Sequence, residues 1–337
     1  MFKNKKTAIL LLQNTPILLM VAVFGVFGLL TNRFFQLQNI VGIFTDASYI
    51  GILAVGMTFV LLTAGIDLSV GANMYLSSVV AGLLVQNYQI PVWLALVAAL
   101  AIGFAFGALN AFFIIRLRIL PLIVTIATMI AGRGLTLLLS KSQAVPLPDS
   151  ILAIGYERVL GVPIPLVIFA VIVMAAWILL KMTPLGRQIY ALGNDPEAAK
   201  KAGINTKRIL MTVYIISGVL AAIGGIISVA QCGIVNAGFG DGDEFDAIAA
   251  AVLGGASLFG GIGSVFPGTV IGAVLVQTIQ AGMVFLQVDL YIQPLVTAGI
   301  ILLAVFLDSL RKRYLEKLGR RFIYTIKTED RQTKHAG

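Results

Sequence analysis

Long apolar runs recur along almost the whole chain, and they constrain its fold more than any other feature. Crossing the apolar core of a bilayer takes about 20 helical residues, and most of these runs are long enough. Hydrophobic residues make up 59% of the 337 residues and charged residues 12%, whereas soluble proteins have about 45–50% and about 25%. A soluble enzyme is excluded, and we predict an all-α, polytopic membrane helix bundle of about ten transmembrane helices. The predicted spans lie at about 8–30, 47–64, 72–87, 91–115, 119–139, 163–181, 209–230, 246–259, 264–287 and 291–307.

Basic residues concentrate in three places beside these spans: before the first span, within 181–208 and within 311–334. Cytoplasmic segments next to membrane spans carry such an excess of Lys and Arg, and an even number of spans places both termini on that side. The net charge of +9 is therefore assigned to topology and contact with anionic lipid, not to nucleic acid. We predict one transmembrane domain over 1–310, with an internal loop at about 182–208, and a basic cytoplasmic tail at 311–337.

Few residues of the chain suit catalysis or metal binding. The single cysteine is Cys232 and the single histidine is His335. Zinc sites and Ser–His–Asp triads therefore lack their parts, and no span carries a pair of catalytic groups at helical spacing. The Gly-x-x-x-x-Gly-Lys-Ser/Thr loop that binds nucleotide phosphates does not occur in the sequence. We expect a chain that is not an enzyme and that holds neither a metal nor a cofactor.

Two glycine-rich segments, 65–71 and 254–263, interrupt the apolar runs. A break in a helix is tolerated at membrane depth only where protein or a water-filled cavity covers the backbone, and paired breaks point to a transport pathway. A carboxylate at the centre of a span costs roughly 2.5–3.5 kcal/mol. Asp67 is therefore predicted either to belong to a pathway or gate, or to cap a helix that begins near Leu68.

Other polar groups inside the predicted spans also have more than one interpretation. Arg133 either snorkels, pairs with a carboxylate such as Asp46 or Asp67, or lines a cavity. For uncharged amides, hydrogen bonding between helices is the default, and contact with a hydroxyl-rich solute is the alternative. These amides belong to Asn73, Asn110, Gln277 and Gln280.

The internal loop contains a short helix with recognisable start and stop signals. Asn194 or Asp195 suits the N-cap, and Pro196 suits the first helical position. The negative charge of Glu197 is stabilising near the positive, N-terminal end of the helix dipole. Gly203 is typical of the residue that ends a helix. A helix this short, with mainly small side chains, suits docking into a groove on another protein. Its small-residue face consists of Ala198, Ala199 and Ala202.

Three ordered motifs make the chain similar to a known family. They are Gly-Ile-Asp-Leu-Ser-Val-Gly at 65–71, the Gly-Arg…Ala-Leu-Gly-Asn…Ala-Ala…Ala-Gly-Ile run at 186–204, and Asp-Ala-Ile-Ala-Ala…Leu-Gly-Gly at 246–255. Together they resemble the ribose-type sugar permeases, the membrane subunits of bacterial ATP-binding-cassette importers for monosaccharides. The resemblance covers about residues 40–308.

The resemblance implies a multi-pass permease subunit of the bacterial plasma (inner) membrane that pairs with a second copy or a paralogue. Cytoplasmic ATPase subunits, which bind the ATP, would dock on the short helix, and an extracytoplasmic sugar-binding protein would deliver the solute. The ATPase-coupling helix would comprise Asn194, Asp195, Glu197, Ala198, Ala199, Ala202, Gly203 and Ile204. The pathway or gate candidates are Gly65, Asp67, Ser69, Gly71, Asn73, Asn110, Asp246, Gly254 and Gly255.

Two points stay open in the sequence. It does not choose between a ribose-like pentose and a hexose, or between a homodimer and a pair of unlike permeases. An ion-coupled secondary transporter of a small polar solute is the alternative function. That class needs carboxylates inside the membrane, and the candidates are Asp67, Asp289 and Asp308.

Overall fold

The apolar runs fold into helices joined mostly by short connections. The computed structural model describes residues 15–31 and 33–299, together with 302, 303 and 306. In this part of the chain, helices α1 to α12 are Thr15–Leu30, Leu37–Leu62, Val70–Tyr88, Val92–Arg116, Pro121–Ser140, Asp149–Tyr156, Ile164–Met182, Pro184–Asn194, Pro196–Lys201, Thr206–Cys232, Asp243–Leu253 and Val270–Phe285. A π-helical turn at Val265–Thr269 precedes α12. Strands β1 to β4 are Val145–Pro146, Arg158–Val159, Val162–Pro163 and Ile234–Val235.

Six of the described helical segments are long and apolar enough to cross a membrane. They are α2, α4, α5, α7, α10 and the segment Val265–Phe285, which joins the π-helical turn to α12. Helix α3 has 19 residues but is more polar, since Asn73, Ser77 and Ser78 are among its buried residues. A polytopic helical membrane bundle is therefore confirmed. The count of about ten spans and the cytoplasmic position of both termini stay predictions.

Two predicted spans have different bounds in the structure. Helix α2 begins at Leu37 rather than near 47. The predicted start was too late because the exposed Asp46 interrupts the apolar pattern, although the helix continues through this residue. The run predicted at 246–259 is helical only to Leu253. The eleven residues of α11 rise about 16 Å, roughly half of the apolar core of a bilayer, so the prediction of a complete span there is wrong.

Parts of the predicted topology lie outside the described residues. They are the beginning of the first predicted span, most residues after 299 in the last predicted span at 291–307, and the whole tail at 311–337. The described residues from Asp289 onward belong to a different compact unit from Pro16–Val288. In its described part, Asp289 Oδ1 accepts a hydrogen bond from the Tyr291 N–H over 2.8 Å, and residues 293–299 are helical. Asp289 therefore lies in a turn.

Helix α10 lies at the centre of the bundle. In its most apolar stretch 78% of the residues are buried, compared with 28% in α4 and α5 and 22% in α7. It packs against α2, α3 and α4. The peripheral helices expose apolar faces, which suit contact with lipid, whereas the association of helices within the bundle depends on close packing.

Glycine permits the close crossing of α4 and α10. A Cβ atom on Gly103 would lie 2.5 Å from the carbonyl oxygen of Gly218, and one on Gly107 would lie 2.2 Å from that of Tyr214. In the opposite direction, a Cβ atom on Gly218 would lie 2.2 Å from the carbonyl oxygen of Gly103. Any side chain at these positions would push the two backbones apart.

The two ends of α10 carry different structures. Beyond its C-terminal end, β4 pairs with β1 in antiparallel fashion, with Val145 opposite Val235. Counting the predicted spans from a cytoplasmic N-terminus predicts that the loops at 140–162 and 231–245 both lie on the external side, and this strand pair joins them. At its N-terminal end lie α8 and α9, both in contact with it. Because α10 has 27 residues, these two ends are about 40 Å apart.

Gly218→Ala is expected to lower the free energy of unfolding by about 1–3 kcal/mol, the usual cost of overpacking, because the new methyl group meets the backbone of α4. Gly134→Ala is the matched control, since a Cβ atom at Gly134 meets nothing within 4 Å and alanine has the higher helix propensity. Stability would be measured by detergent-induced unfolding of the purified protein. Equal stability of the two variants would contradict the proposed crossing.

Candidate coupling helix and transport pathway

The predicted short helix is present as α9, and its cap is Asp195. The backbone of Asp195 is extended, and its Oδ1 accepts hydrogen bonds from the N–H groups of Glu197 and Ala198, both over 3.0 Å. Pro196 occupies the first helical position, where its missing N–H costs nothing. Asn194 instead ends α8. Gly203 has a φ of +80°, a conformation that glycine adopts without strain, so the predicted stop signal is confirmed.

The small residues of α9 do not share one outward face. Ala198 and Ala202 are exposed, as are the charged residues at positions 197, 200 and 201. Ala199 is only 4% exposed, because it is turned toward the bundle. Ile204 packs against the hydrophobic core, and its N–H bonds to the Ala199 carbonyl oxygen over 3.1 Å. Ala199 and Ile204 therefore seat the helix, and Ala198 and Ala202 form the surface open to a partner.

Helix α8 connects this short helix to the glycine-rich break between α11 and α12. A Cβ atom on Gly193 would lie 1.8 Å from the Leu62 carbonyl oxygen and 2.6 Å from the Gly261 nitrogen. The Gly261 N–H donates to the same Leu62 carbonyl oxygen over 3.0 Å. Tyr190 Oη donates to the carbonyl oxygen of Gly263 over 2.9 Å. The end of α8, the end of α2 and the break at 254–263 are therefore in direct contact.

Asp67 is the centre of a buried hydrogen-bond network. Its Oδ1 accepts from the Ser69 N–H over 3.0 Å and from Ser69 Oγ over 2.6 Å, and its Oδ2 accepts from Ser217 Oγ over 2.8 Å. Asn110 Nδ2 donates to Ser69 Oγ over 2.7 Å, and Thr128 Oγ1 donates to Asn110 Oδ1 over 2.7 Å. The network thus joins α4, α5 and α10 to the connection between α2 and α3.

This geometry gives Asp67 a structural role in the turn before α3, whose N-cap is Ser69, and its assignment to a pathway or gate stays a prediction. The side chain is 1% exposed and accepts a hydrogen bond from the N–H of Ser69, two residues on, as short acidic side chains do in turns. Asn110 is also 1% exposed, and it bonds between helices instead of facing a cavity. Ser217 and Thr128 complete the network. The sequence does not reveal them, since a serine or threonine within an apolar run has no distinguishing pattern.

Asn73 and Gly65 lie beside this network. Asn73 Nδ2 donates to the Gly218 carbonyl oxygen over 2.8 Å, and its Oδ1 accepts from Ser77 Oγ over 3.0 Å. A Cβ atom on Gly65 would lie 2.6 Å from Tyr214 Oη. Both positions therefore serve the packing of the α2–α3 connection and of α3 on α10.

Gly71 and Arg133 hold the segment that leads into α11. A Cβ atom on Gly71 would lie 2.2 Å from the Gly240 carbonyl oxygen. Arg133 Nη2 donates to the same oxygen over 2.8 Å and lies 3.3 Å from Asp241 Oδ1. Of the three interpretations of Arg133, pairing with a carboxylate is confirmed, but the partner is Asp241 instead of Asp46 or Asp67. Asp67 is enclosed by serine hydroxyl groups, and the chain between β4 and α11 brings Asp241 to Arg133.

The third motif forms the packed pair of α11 and α12. Asp246 Oδ2 accepts a hydrogen bond from Gln280 Nε2 over 2.7 Å. Gly254 approaches Gly268 so closely that a Cβ atom would lie 2.5 Å from its backbone. Gly255 has a φ of +95°, which ends the helix. Asp246 and Gly254 thus link the two helices, and Gly255 turns the chain into the break.

The structure also bears on metal binding. In residues 15–31 and 33–299, no group of three or more His, Cys, Asp or Glu side chains is placed to hold a metal ion. The network around Asp67 consists instead of hydroxyl and amide donors.

Ser217→Ala is expected to lower the free energy of unfolding by about 1–3 kcal/mol, because it leaves one buried oxygen of Asp67 without a partner. Detergent-induced unfolding measures the loss. In an Asp67→Ala background the same substitution should cost much less, since the two residues are coupled. An equal cost in both backgrounds would show that Ser217 does not act through Asp67.

Comparison with known proteins agrees with the three motifs. The family described as "Branched-chain amino acid transport system / permease component" matches residues 39–307. The ribose import permease protein of Escherichia coli is 38% identical over 304 residues, which cover 89% of this chain and 94% of that protein. The D-allose transport system permease protein of Escherichia coli is 36% identical, covering 87% and 89%.

A third relative is the xylose transport system permease protein of Haemophilus influenzae, which is 32% identical and covers 82% of this chain and 90% of that protein. No solved structure matches the chain. The family match spans most of the sequence, and each of these relatives is covered almost completely. The chain therefore belongs to the family of permease subunits of bacterial ATP-binding-cassette importers.

Proposed function

We propose that this chain is the transmembrane permease subunit of an importer that moves a monosaccharide, a ribose-like pentose or a hexose, across the bacterial plasma membrane into the cytoplasm. The three relatives named for ribose, allose and xylose support the substrate class. The observation that carries the proposal is α9, a capped six-residue helix. Its exposed alanines are small enough to enter a groove on a partner protein.

The partners follow from the family of import permeases to which this chain belongs. Separate cytoplasmic ATPase subunits bind and hydrolyse the ATP, which agrees with the lack of a phosphate-binding loop in the sequence. A second copy or a paralogue completes the membrane pathway, and an extracytoplasmic binding protein supplies affinity for the sugar. The permease is then not an enzyme. It provides two alternative packings of its helices, and ATP binding in the partner biases one of them.

The contacts of α8 and α9 suggest how that bias reaches the pathway. Movement of α9 moves the end of α8, which touches Leu62 and Gly261 directly. The break at 254–263 is the mobile element in this mechanism, because its backbone is not held by a helical ladder. The network around Asp67 is the fixed element, since it fastens the other break to three helices. We place the opposite gate where the chain enters α11. Asp246, which is bonded to Gln280, lies in the first turn of α11, and Gly71 contacts the segment before it at Gly240.

The contacts of Asp67 favour this function over ion-coupled transport. A coupling ion needs a carboxylate with free oxygen ligands inside the membrane. Both oxygens of Asp67 already accept hydrogen bonds from Ser69 and Ser217. Asp289 lies in a turn, and Asp308 lies outside the described residues.

Ala198→Trp is expected to abolish ATP-driven sugar uptake and to reduce copurification of the ATPase in mild detergent at least tenfold, because an indole does not fit a groove shaped for alanine. Ala198 is exposed, so membrane insertion and unfolding should stay unchanged. Ala198→Ser is the matched control and should keep uptake. Normal uptake by Ala198→Trp would contradict docking on α9.

Purified chain in vesicles, without any ATPase, tests the alternative. We expect no sugar accumulation under a proton or sodium gradient. Accumulation driven by such a gradient, and lost in Asp67→Asn, would overturn the importer and establish an ion-coupled transporter.

A further inference from the structure

Three helices bring polar side chains together near the C-terminal end of α10, the end opposite α8 and α9. Gln280 Nε2 on α12 donates a hydrogen bond to Asp246 Oδ2 on α11 over 2.7 Å. Tyr49 on α2 lies within electrostatic range of Asp46 on the same helix, of Asp243 and Asp246 on α11, and of Cys232, the last residue of α10. We call the following residues the outer polar cluster: Asp46, Tyr49, Asp243, Asp246, Gln277 and Gln280.

The outer polar cluster is exposed at one end and buried at the other. Asp46 and the adjoining Cys232 are exposed, and Tyr49 and Asp243 are half-buried. Asp246 and Gln277 are each only 9% exposed. The exposed end lies beside the segment 231–245, on the side of the chain predicted to be external. A solute arriving from that side would therefore meet polar groups from the surface inward.

Gln277 is a buried member of this cluster with an unused acceptor. It precedes Gln280 by three residues, so both side chains lie on the same face of α12. That face is turned toward α11, since Gln280 bonds to Asp246 there. Gln277 Oε1 is buried, yet it accepts no hydrogen bond within the part of the chain that the structure describes. Because a buried acceptor without a partner is unfavourable, this position favours a bound molecule that supplies the donor.

The chemistry of the cluster suits a neutral molecule with several hydroxyl groups. Carboxylate oxygens accept hydrogen bonds from hydroxyl groups, and a side-chain amide both donates and accepts them. An anion is disfavoured, because the segment 231–245 carries three acidic residues and no Lys or Arg. A metal ion is disfavoured as well, since among the described residues no group of three or more His, Cys, Asp or Glu side chains is placed to hold one.

We propose that the outer polar cluster is a site at which the permease itself contacts the hydroxyl groups of the sugar. Gln277 Oε1 accepts from one hydroxyl group, and the carboxylates of Asp243 and Asp246 accept from others. This deepens the proposed function and rests on it, since the site would receive the monosaccharide at the gate where the chain enters α11. Exchange of the bond between Gln280 and Asp246 for a bond to the sugar would loosen α11 from α12 and so open that gate.

Labelling of Cys232 tests the proposal without any substitution, because this residue is exposed and is the single cysteine of the sequence. The importer is purified with its ATPase but without the binding protein, and the rate of maleimide modification of the permease is followed as the concentration of D-ribose, D-xylose or D-allose rises. We expect at least one sugar to slow the modification in a saturable manner. Betaine at equal osmolarity, which has no hydroxyl group, should have no effect. Unchanged rates with all three sugars would overturn the proposal.

Gln277→Leu separates a binding role from a structural one. Leucine is similar in size to glutamine but forms no hydrogen bond, so the sugar concentration for half protection of Cys232 should rise about fivefold, the equivalent of one hydrogen bond. ATP-driven uptake should fall as well. Stability in detergent-induced unfolding should not fall, because the acceptor that is removed has no partner in the described chain.

Thr278→Val is the matched control for this substitution. Thr278 is the next residue of α12, is buried, and donates to the Val274 carbonyl oxygen of its own helix over 2.6 Å. Its replacement should leave protection of Cys232 by the sugar unchanged. Equal half-protection in Gln277→Leu and the unsubstituted chain would show that the amide does not contact the sugar.

Failure of this inference and failure of the proposed function give different results. If the unsubstituted importer takes up a monosaccharide with ATP, but no sugar protects Cys232 and Gln277→Leu changes nothing, the contact site is refuted and the importer stands. If a sugar protects Cys232 although no ATPase copurifies with the chain, the contact site stands and the proposed function fails.

Discussion

The burial of broken backbone among the helices is the constraint on which the rest of this structure depends. Between α2 and α3 the helix stops, and the carboxylate of Asp67 fastens the break by accepting hydrogen bonds from Ser69 and Ser217. Such a break is tolerated only inside protein, so α10 must pass close to it. The glycines at the crossing of α4 and α10, among them Gly107 and Gly218, permit that approach.

The second break, between α11 and α12, is built differently, and this difference suits a more mobile role than that of the first break. Between α11 and α12 no buried carboxylate holds the chain. Residues 257–262 form a loop, the 257–262 loop, that closes on itself and contacts the ends of α2 and α8 through glycine. A well-satisfied polar network rigidifies its surroundings, whereas a glycine-rich turn leaves the backbone more freedom. The Asp67 network is thus suited to stay fixed while the 257–262 loop moves with α8 and α9.

Local signals in the sequence were reliable and long-range ones were not. The cap and stop of α9 depend on residues within ten positions of each other, so Asp195 and Gly203 were recognisable in advance. The partner of Arg133 was not, because Asp241 reaches it from a distant segment. Ala199 was misassigned to the outer face for a similar reason, since the orientation of a short helix depends on the core residues beneath it. The length of α11 was also misjudged, because an apolar run continues past Leu253 although the helix does not.

By itself, the sequence determined that this chain crosses a membrane as helices, where the short helix α9 begins and ends, and to which family it belongs. These properties depend on hydropathy, capping and contiguous motifs, all of which are local. The tertiary structure alone decided that the carboxylate of Asp67 is buried against Ser217 of α10, and that the loop at 257–262 lies against the ends of α2 and α8. Both follow from packing between segments more than 60 residues apart, and no local pattern records which helices will meet.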